Sequence, residues 1–183
     1  EHSGLECVGS GFVLPARQVR VCENIIAIAF VKPGDVVPMN VHFTTTRAHI
    51  TRVGGRVEEL GAEEGLATTS DCPFKGNFDL DKLRRLIAEV GAEHIPFLRV
   101  EAGTNLIGGQ PLSLQNMRET CAICREHGIM TVLDASLPQD NLHFIKTREA
   151  ACKALSLRAI TPPVADAFGI IYFPARQFGF ARA

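Results

Sequence analysis

SLQNMRETCAICREHGIMTVLD, residues 113–134, is the stretch on which the fold turns. Ser113 is a residue type whose side-chain oxygen accepts from the free N–H groups of a first helical turn. The residues after it read as a helix running to His127, and Gly128 supplies the stop. Ile129 to Leu133 is then a nearly continuous apolar run, the pattern of a strand buried on both faces of a sheet. Asp134 stands at the C-terminal end of that run.

Upstream, the same alternation repeats. Asp79 is placed to cap a helix over Leu80 to Val90, whose buried stripe reads Leu83, Leu86, Ile87 and Val90. Gly91 ends it, and Ile95 to Val100 reads as a strand. Glu101 to Leu112 is a loop rich in Gly and polar residues. Nearer the start, Gln18 to Val31 predicts a helix with Val21, Ile25, Ile28 and Ala29 near one apolar face. Val36 to Asn40 is a short strand. Thr44, Thr45 and Thr46 are placed to cap a helix to about Arg52, and Arg56 to Leu60 is a further strand. Gly61 to Phe78 is a long polar connection. Downstream of Asp134, a helical stretch with a break is expected from Pro138 to about Ile160, and Ile170 to Phe173 is the last strand. Pro162-Pro163 reads as a local interruption. Strands separated by helices argue for an α/β domain with a mostly parallel sheet flanked by helices. Ligands in such sheets sit at the C-terminal ends of the strands.

Composition narrows the function classes. The 183 residues suffice for one domain, and 46% hydrophobic with 21% charged residues is the balance of a soluble globular protein. The net charge of -1 gives no field to attract nucleic acid or an anionic membrane. No apolar run has the length of a membrane span, and Glu1 to Gly11 lacks the pattern of a signal peptide and reads as irregular. The chain opens on Glu1, so a segment of a longer chain is expected. The six cysteines (Cys7, Cys22, Cys72, Cys121, Cys124, Cys152) are scattered, which favours free thiols in a reducing cytoplasm. Cys121 and Cys124 form a C-x-x-C inside a predicted helix. That spacing would suit a redox or zinc site, but with no second pair nearby the reading favoured is two half-buried helix cysteines. A nucleotide-binding domain finds no support, because no G-x-G-x-x-G or P-loop follows a strand.

Polar groups follow several strands, where a site would form. Each has two readings from spacing alone. Asp134 is a site carboxylate or the cap of the next helix. Asn105 is a ligand-binding amide or a turn residue. Phe43 is a cofactor platform or core.

Longer motifs carry a resemblance that separates these readings. His42-Phe43-Thr44-Thr45-Thr46-Arg47-Ala48-His49, Phe74-Lys75-Gly76-Asn77-Phe78-Asp79-Leu80 and Thr104 to Ser113 resemble segments of the β-eliminating lyases, the tryptophanase and tyrosine phenol-lyase family. Asp134-Ala135-Ser136 followed by Asn141 to Lys146 does so too, and Leu14 to Arg20 resembles the family's phosphate-loop segment. The match covers nearly all of this chain and well under half of a family member.

The resemblance implies a partial large domain of the aspartate aminotransferase type, binding pyridoxal 5'-phosphate. It implies Asp134 opposite the cofactor's ring nitrogen, Asn105 on its ring oxygen, and Phe43 stacked on its ring. Gln18 and Arg20 would hold the phosphate at a helix N-terminus. It implies an aromatic L-amino acid as substrate, tryptophan giving indole, pyruvate and ammonia. It implies also a monovalent cation such as K+ and a cytoplasmic homotetramer. No complete metal site is read here. Four departures stand out. Val19 takes the place of a Gly, Leu137 that of an Arg, Pro174 that of a Ser, and Gln177 that of the Schiff-base lysine. A carboxamide cannot condense with an aldehyde, so the alternative expectation is a non-catalytic truncated remnant.

Overall fold

The computed structural model describes residues 14–174. Five strands form one sheet in the order β2-β1-β3-β4-β5, every pair parallel. They are β1 (Val36–Met39), β2 (Arg56–Glu59), β3 (Phe97–Glu101), β4 (Met130–Asp134) and β5 (Ile170–Tyr172). Six α-helices connect and cover them: α1 (Val19–Phe30), α2 (Thr44–Arg52), α3 (Leu80–Val90), α4 (Leu114–Glu126), α5 (Pro138–Arg148) and α6 (Leu157–Ala165). Parallel strands need crossovers, and crossovers put helices on both faces. Ile26, Ala27 and Val31 of α1 and Ile50 of α2 pack on Val37, Met39, Phe97, Val132 and Tyr172. Helices α3 to α6 pack on the other face against Val36, Leu98, Val100 and Leu133. The expected α/β architecture is the one found.

Helix α3 shows how far local signals reach. Asp79 caps it, accepting from the N–H groups of Asp81 and Lys82. Leu83, Leu86 and Ile87 are buried as the periodicity predicts, with Val90 half-buried beneath them. The Lys82 N–H bonded to the Asp79 carboxylate is the main force holding its pKa below the ordinary value. A depressed folded-state pKa means the stabilisation is present above about pH 3.9, the unfolded Asp value, and is lost as pH falls below it. Asp79→Asn keeps a cap but no charge. Its stability deficit in urea titrations is therefore expected to shrink as pH drops from neutral to about 3.

Several boundaries move, each for a physical reason. Strand β3 begins at Phe97, not Ile95, because Pro96 has no N–H for a ladder. Asp134 is not beyond its strand; it is the last rung, in register with Glu101 on one side and Tyr172 on the other. Thr44 to Thr46 do not cap α2. Phe43 is the N-cap residue, and Thr45 and Thr46 send their hydroxyls to Glu23. The stretch after Asp134 divides into α5, a 3-10 turn at Ala150–Cys152, and α6. Helix α6 runs through Pro162 and Pro163 where an interruption was expected. The prolines deprive the Arg158 and Ala159 carbonyls of N–H partners, but Pro162 is on the exposed side.

The apolar face of α1 is the largest correction. Val21, Ile25 and Ile28 are 37%, 41% and 60% exposed, and the buried residues are Glu23, Ile26 and Ala27. Ala29 of the predicted stripe is exposed as well, and the face turned to the sheet is Glu23 together with Ile26 and Ala27.

Candidate functional site: a buried charge cluster at the strand ends

The C-terminal edge of the sheet carries a polar cluster built around Arg99. Arg99 and Glu101 lie two residues apart on β3, so they project to the same face. Asp134 and Tyr172 close the same rung from β4 and β5. Arg99 is 1% exposed. Its Nη2 donates to Asp134 Oδ2, its Nη1 to Glu101 Oε2 at 3.0 Å, and its Nε to the Tyr172 hydroxyl at 2.8 Å. Glu23 Oε1 lies 4.0 Å from Nη2. The Tyr172 hydroxyl donates to Asp134 Oδ2 at 3.0 Å. On the other oxygen, Asp134 Oδ1 accepts from the Ser136 N–H at 2.9 Å and from the Ser136 hydroxyl.

Among the described residues, three buried carboxylates thus meet one guanidinium. Burial alone would lower the Arg99 pKa, but Tyr172, Asp134 and Glu101 override it and hold it well above the ordinary value. Burial pushes Tyr172 well up, so it stays a hydroxyl. Burial also raises Glu101, against the opposing pull of Arg99. A cavity of about 10 Å³ lies on the α1 side of the cluster, between Glu23, Thr46, Arg99 and Tyr172.

Asparagines fix the loops around this cluster. Asn40, which follows β1, accepts from the Glu101 N–H at 3.0 Å. Its amide lies at 3.1 Å from the Gly76 and Glu101 carbonyls and 2.9 Å from Thr104 Oγ1. A Cβ at Gly76 would stand 2.6 Å from the Gln110 carbonyl and 2.8 Å from Thr104 Oγ1, so only Gly permits this approach. Asn77 accepts from the Ser113 N–H at 2.9 Å, Asn116 brackets both backbone groups of Phe78, and Asn141 those of Leu112. The motifs Phe74 to Leu80, Thr104 to Ser113 and Asn141 to Lys146 are therefore joined into one scaffold.

The residues singled out in the sequence fall as follows. Asp134 is buried and hydrogen-bonded to Arg99 and Tyr172 through Oδ2 and to Ser136 through Oδ1. Asn105 opens a 3-10 turn with an exposed side chain, its N–H bonded to Glu101 Oε1 at 2.9 Å. Glu101 and Arg99 thereby link Asn105 to Asp134. Phe43 is half-buried at the start of α2, two residues before Thr45, which donates to Glu23 at 2.6 Å. Gln18 and Arg20 are exposed at the start of α1, where no side chain caps the helix and no acidic residue occupies the first turn. Gln177 lies outside the described residues. Leu137 packs under Gly103, where an added Cβ would come within 2.8 Å of the Leu137 Cβ. The sequence reading missed Arg99, Glu101, Glu23, Asn40 and Tyr172. An Arg and a Glu at i and i+2 inside an otherwise apolar strand were the available signal.

Cys121 and Cys124 are both buried helix cysteines. Burial raises their pKa values to about 11 and about 12, which leaves inert thiols and not a redox pair. Among the described residues no cluster of His, Cys, Asp or Glu suits a metal ion, and no helix is long and apolar enough to cross a membrane.

The sequence model of the family described as Beta-eliminating lyase matches residues 2–156. The chain belongs to the beta-eliminating lyase family. Among relatives, it is 44% identical over 155 residues to a tyrosine phenol-lyase of Pasteurella multocida, covering 85% of this chain and 34% of that protein. It is 39% identical over 160 residues to a tyrosine phenol-lyase of Lacrimispora saccharolytica, covering 87% and 34%. The chain thus spans about a third of the length of these beta-eliminating lyases. Among solved structures it resembles LysN, an alpha-aminoadipate aminotransferase from Thermus thermophilus complexed with N-(5'-phosphopyridoxyl)-L-leucine. That likeness has a TM-score of 0.52 and 15% identity, over 65% of this chain and 27% of the other, and is one of fold.

Proposed function

We propose that this chain is a partial cofactor-binding domain, 1–183, of a pyridoxal 5'-phosphate-dependent carbon–carbon lyase acting on an aromatic L-amino acid. The observation that carries the reading is the charge imbalance at Asp134. Among the described residues one guanidinium faces three carboxylates in a low-dielectric site, and a protonated ring nitrogen is a cation of the kind that offsets such an excess. The donor set fits this group. Asp134 Oδ2 is taken by Arg99 and Tyr172, but Oδ1 is held by Ser136 alone, and a hydroxyl that rotates away leaves a lone pair for a ring N–H. The 10 Å³ cavity on the α1 side is water-sized, so a ring paired with Asp134 would have to lie beyond the C-terminal strand ends, against Oδ1.

The bound cofactor supplies an electron sink for charge developing at the substrate α-carbon. Asp134 would hold the proton on the ring nitrogen. The Asn105 amide would donate to the ring oxygen. Phe43 would give the ring a face to stack on, worth about 0.5–1.5 kcal/mol. Gln18, Arg20 and the open N-terminus of α1 would receive the phosphate, with Val19 limiting how closely the backbone approaches.

The relatives' names favour tyrosine over tryptophan. L-tyrosine and water would give phenol, pyruvate and ammonia. K+ assistance, a homotetramer and a cytoplasmic setting belong to the same proposal. A second reading, a chain that holds the cofactor without turnover, is favoured by Gln177, which carries no amine to condense or to move a proton.

Equilibrium dialysis against pyridoxal 5'-phosphate tests the binding claim. One saturable site is expected, weakened about tenfold or more by Arg20→Ala. A chain that retains no pyridoxal phosphate contradicts both readings.

A further inference from the structure

The Arg99 fork reaches both polar contacts assigned to the cofactor ring. Nη2 engages Asp134, the partner of the ring nitrogen. Nη1 engages Glu101, whose other oxygen holds the N–H of Asn105, the partner of the ring oxygen. Resting on the cofactor reading above, we propose that Arg99 is a positioning residue. It shares the Asp134 carboxylate with the cofactor's ring nitrogen and so sets how strongly that nitrogen holds its proton.

The physics is competition for one anion. An opposite charge within about 4–6 Å stabilises a charged group, and a like charge does the reverse. Asp134 raises the proton affinity of a ring nitrogen beside it. Arg99, bonded to the same carboxylate, draws on the same negative charge and adds a positive one behind it. The neighbouring elements add further groups. Glu23 and Cys22 come from α1, with the Thr45 and Thr46 hydroxyls of α2 bonded to Glu23. Glu101 comes from β3 and Tyr172 from β5. Glu101, on Nη1, and Glu23, 4.0 Å from Nη2, also draw on Arg99, so the share of charge left on Asp134 depends on both.

The test uses pyridoxamine 5'-phosphate, which has no aldehyde and needs no lysine. The ring-nitrogen pKa of the bound, isotope-labelled ligand is read by NMR across a pH series. Arg99→Met is expected to raise it by about 1–3 units. Arg99→Gln, which keeps a donor inside the cluster if the Met variant does not fold, should raise it likewise. Arg99→Lys should hold it within one unit of the parent. Glu101→Gln removes a restraint on Arg99 and is expected to lower it. Parent-like values in a folded neutral variant at position 99, or an unmoved value in Glu101→Gln, overturn the role of Arg99 while leaving the cofactor reading in place. Failure of the parent chain to bind pyridoxamine phosphate overturns the cofactor reading itself.

Discussion

Arg99→Met is expected to cost about 3–5 kcal/mol of folding stability, the usual range for removing one partner of a buried ion pair. Arg99 is 1% exposed and bonds to two carboxylates and a phenol, so its loss strands Glu101 and Asp134 with no other cation among the described residues of the cluster. Against a total of about 5–15 kcal/mol for a domain, the loss is large enough to unfold much of the population. The deficit should also depend on pH. Burial already raises the Glu101 carboxyl, and without Arg99 its main opposing pull is gone. Its neutral form therefore favours folding at low pH, and that gain is lost as pH rises through the raised value. Urea titrations at about pH 5 and pH 8 check both points, with the smaller deficit expected at the lower pH. A change below about 1 kcal/mol, equal at both pH values, contradicts the buried cluster.

Gln177→Lys should produce a covalent pyridoxyl adduct where the parent chain gives none. The parent's Gln177 has no basic amine, so any pyridoxal phosphate it holds is held without a bond to that position. A lysine amine condenses with the aldehyde and releases water, and borohydride then makes the link permanent. Mass spectrometry after reduction should place a phosphopyridoxyl group on residue 177 of the variant. Labelling spread over surface lysines, with none at 177, contradicts the alignment of this segment with the family's lysine loop.

How much of this was legible in the sequence depends on the kind of signal. Asp79, Ser113, Gly91 and Gly128 act through their nearest neighbours, so α3 and α4 could be read from local spacing. Asp134 was identified by its place after an apolar run and by the motif around it. The cluster that holds it was not, because its members come from α1, β3, β4 and β5 and meet only once the sheet forms. Glu23 is the sharpest case. The period of α1 pointed Val21, Ile25 and Ile28 inward, yet the helix turns Glu23 to the sheet, where Thr45 and Thr46 bond it and Arg99 lies 4.0 Å away. A long-range polar partner outweighed a local apolar stripe. The threonines were misassigned for the same reason, their hydroxyls being taken by α1 and not by their own helix.

Affinity for pyridoxamine 5'-phosphate, compared between the chain and its Asp134→Ala variant, bears most directly on the claim that this carboxylate faces a cofactor ring. A hydrogen bond to a charged group contributes about 1.5–3 kcal/mol. Asp134→Ala is therefore expected to weaken binding by roughly ten- to a hundredfold in a variant whose circular dichroism matches the parent's. Equal affinity in the two folded chains would contradict it.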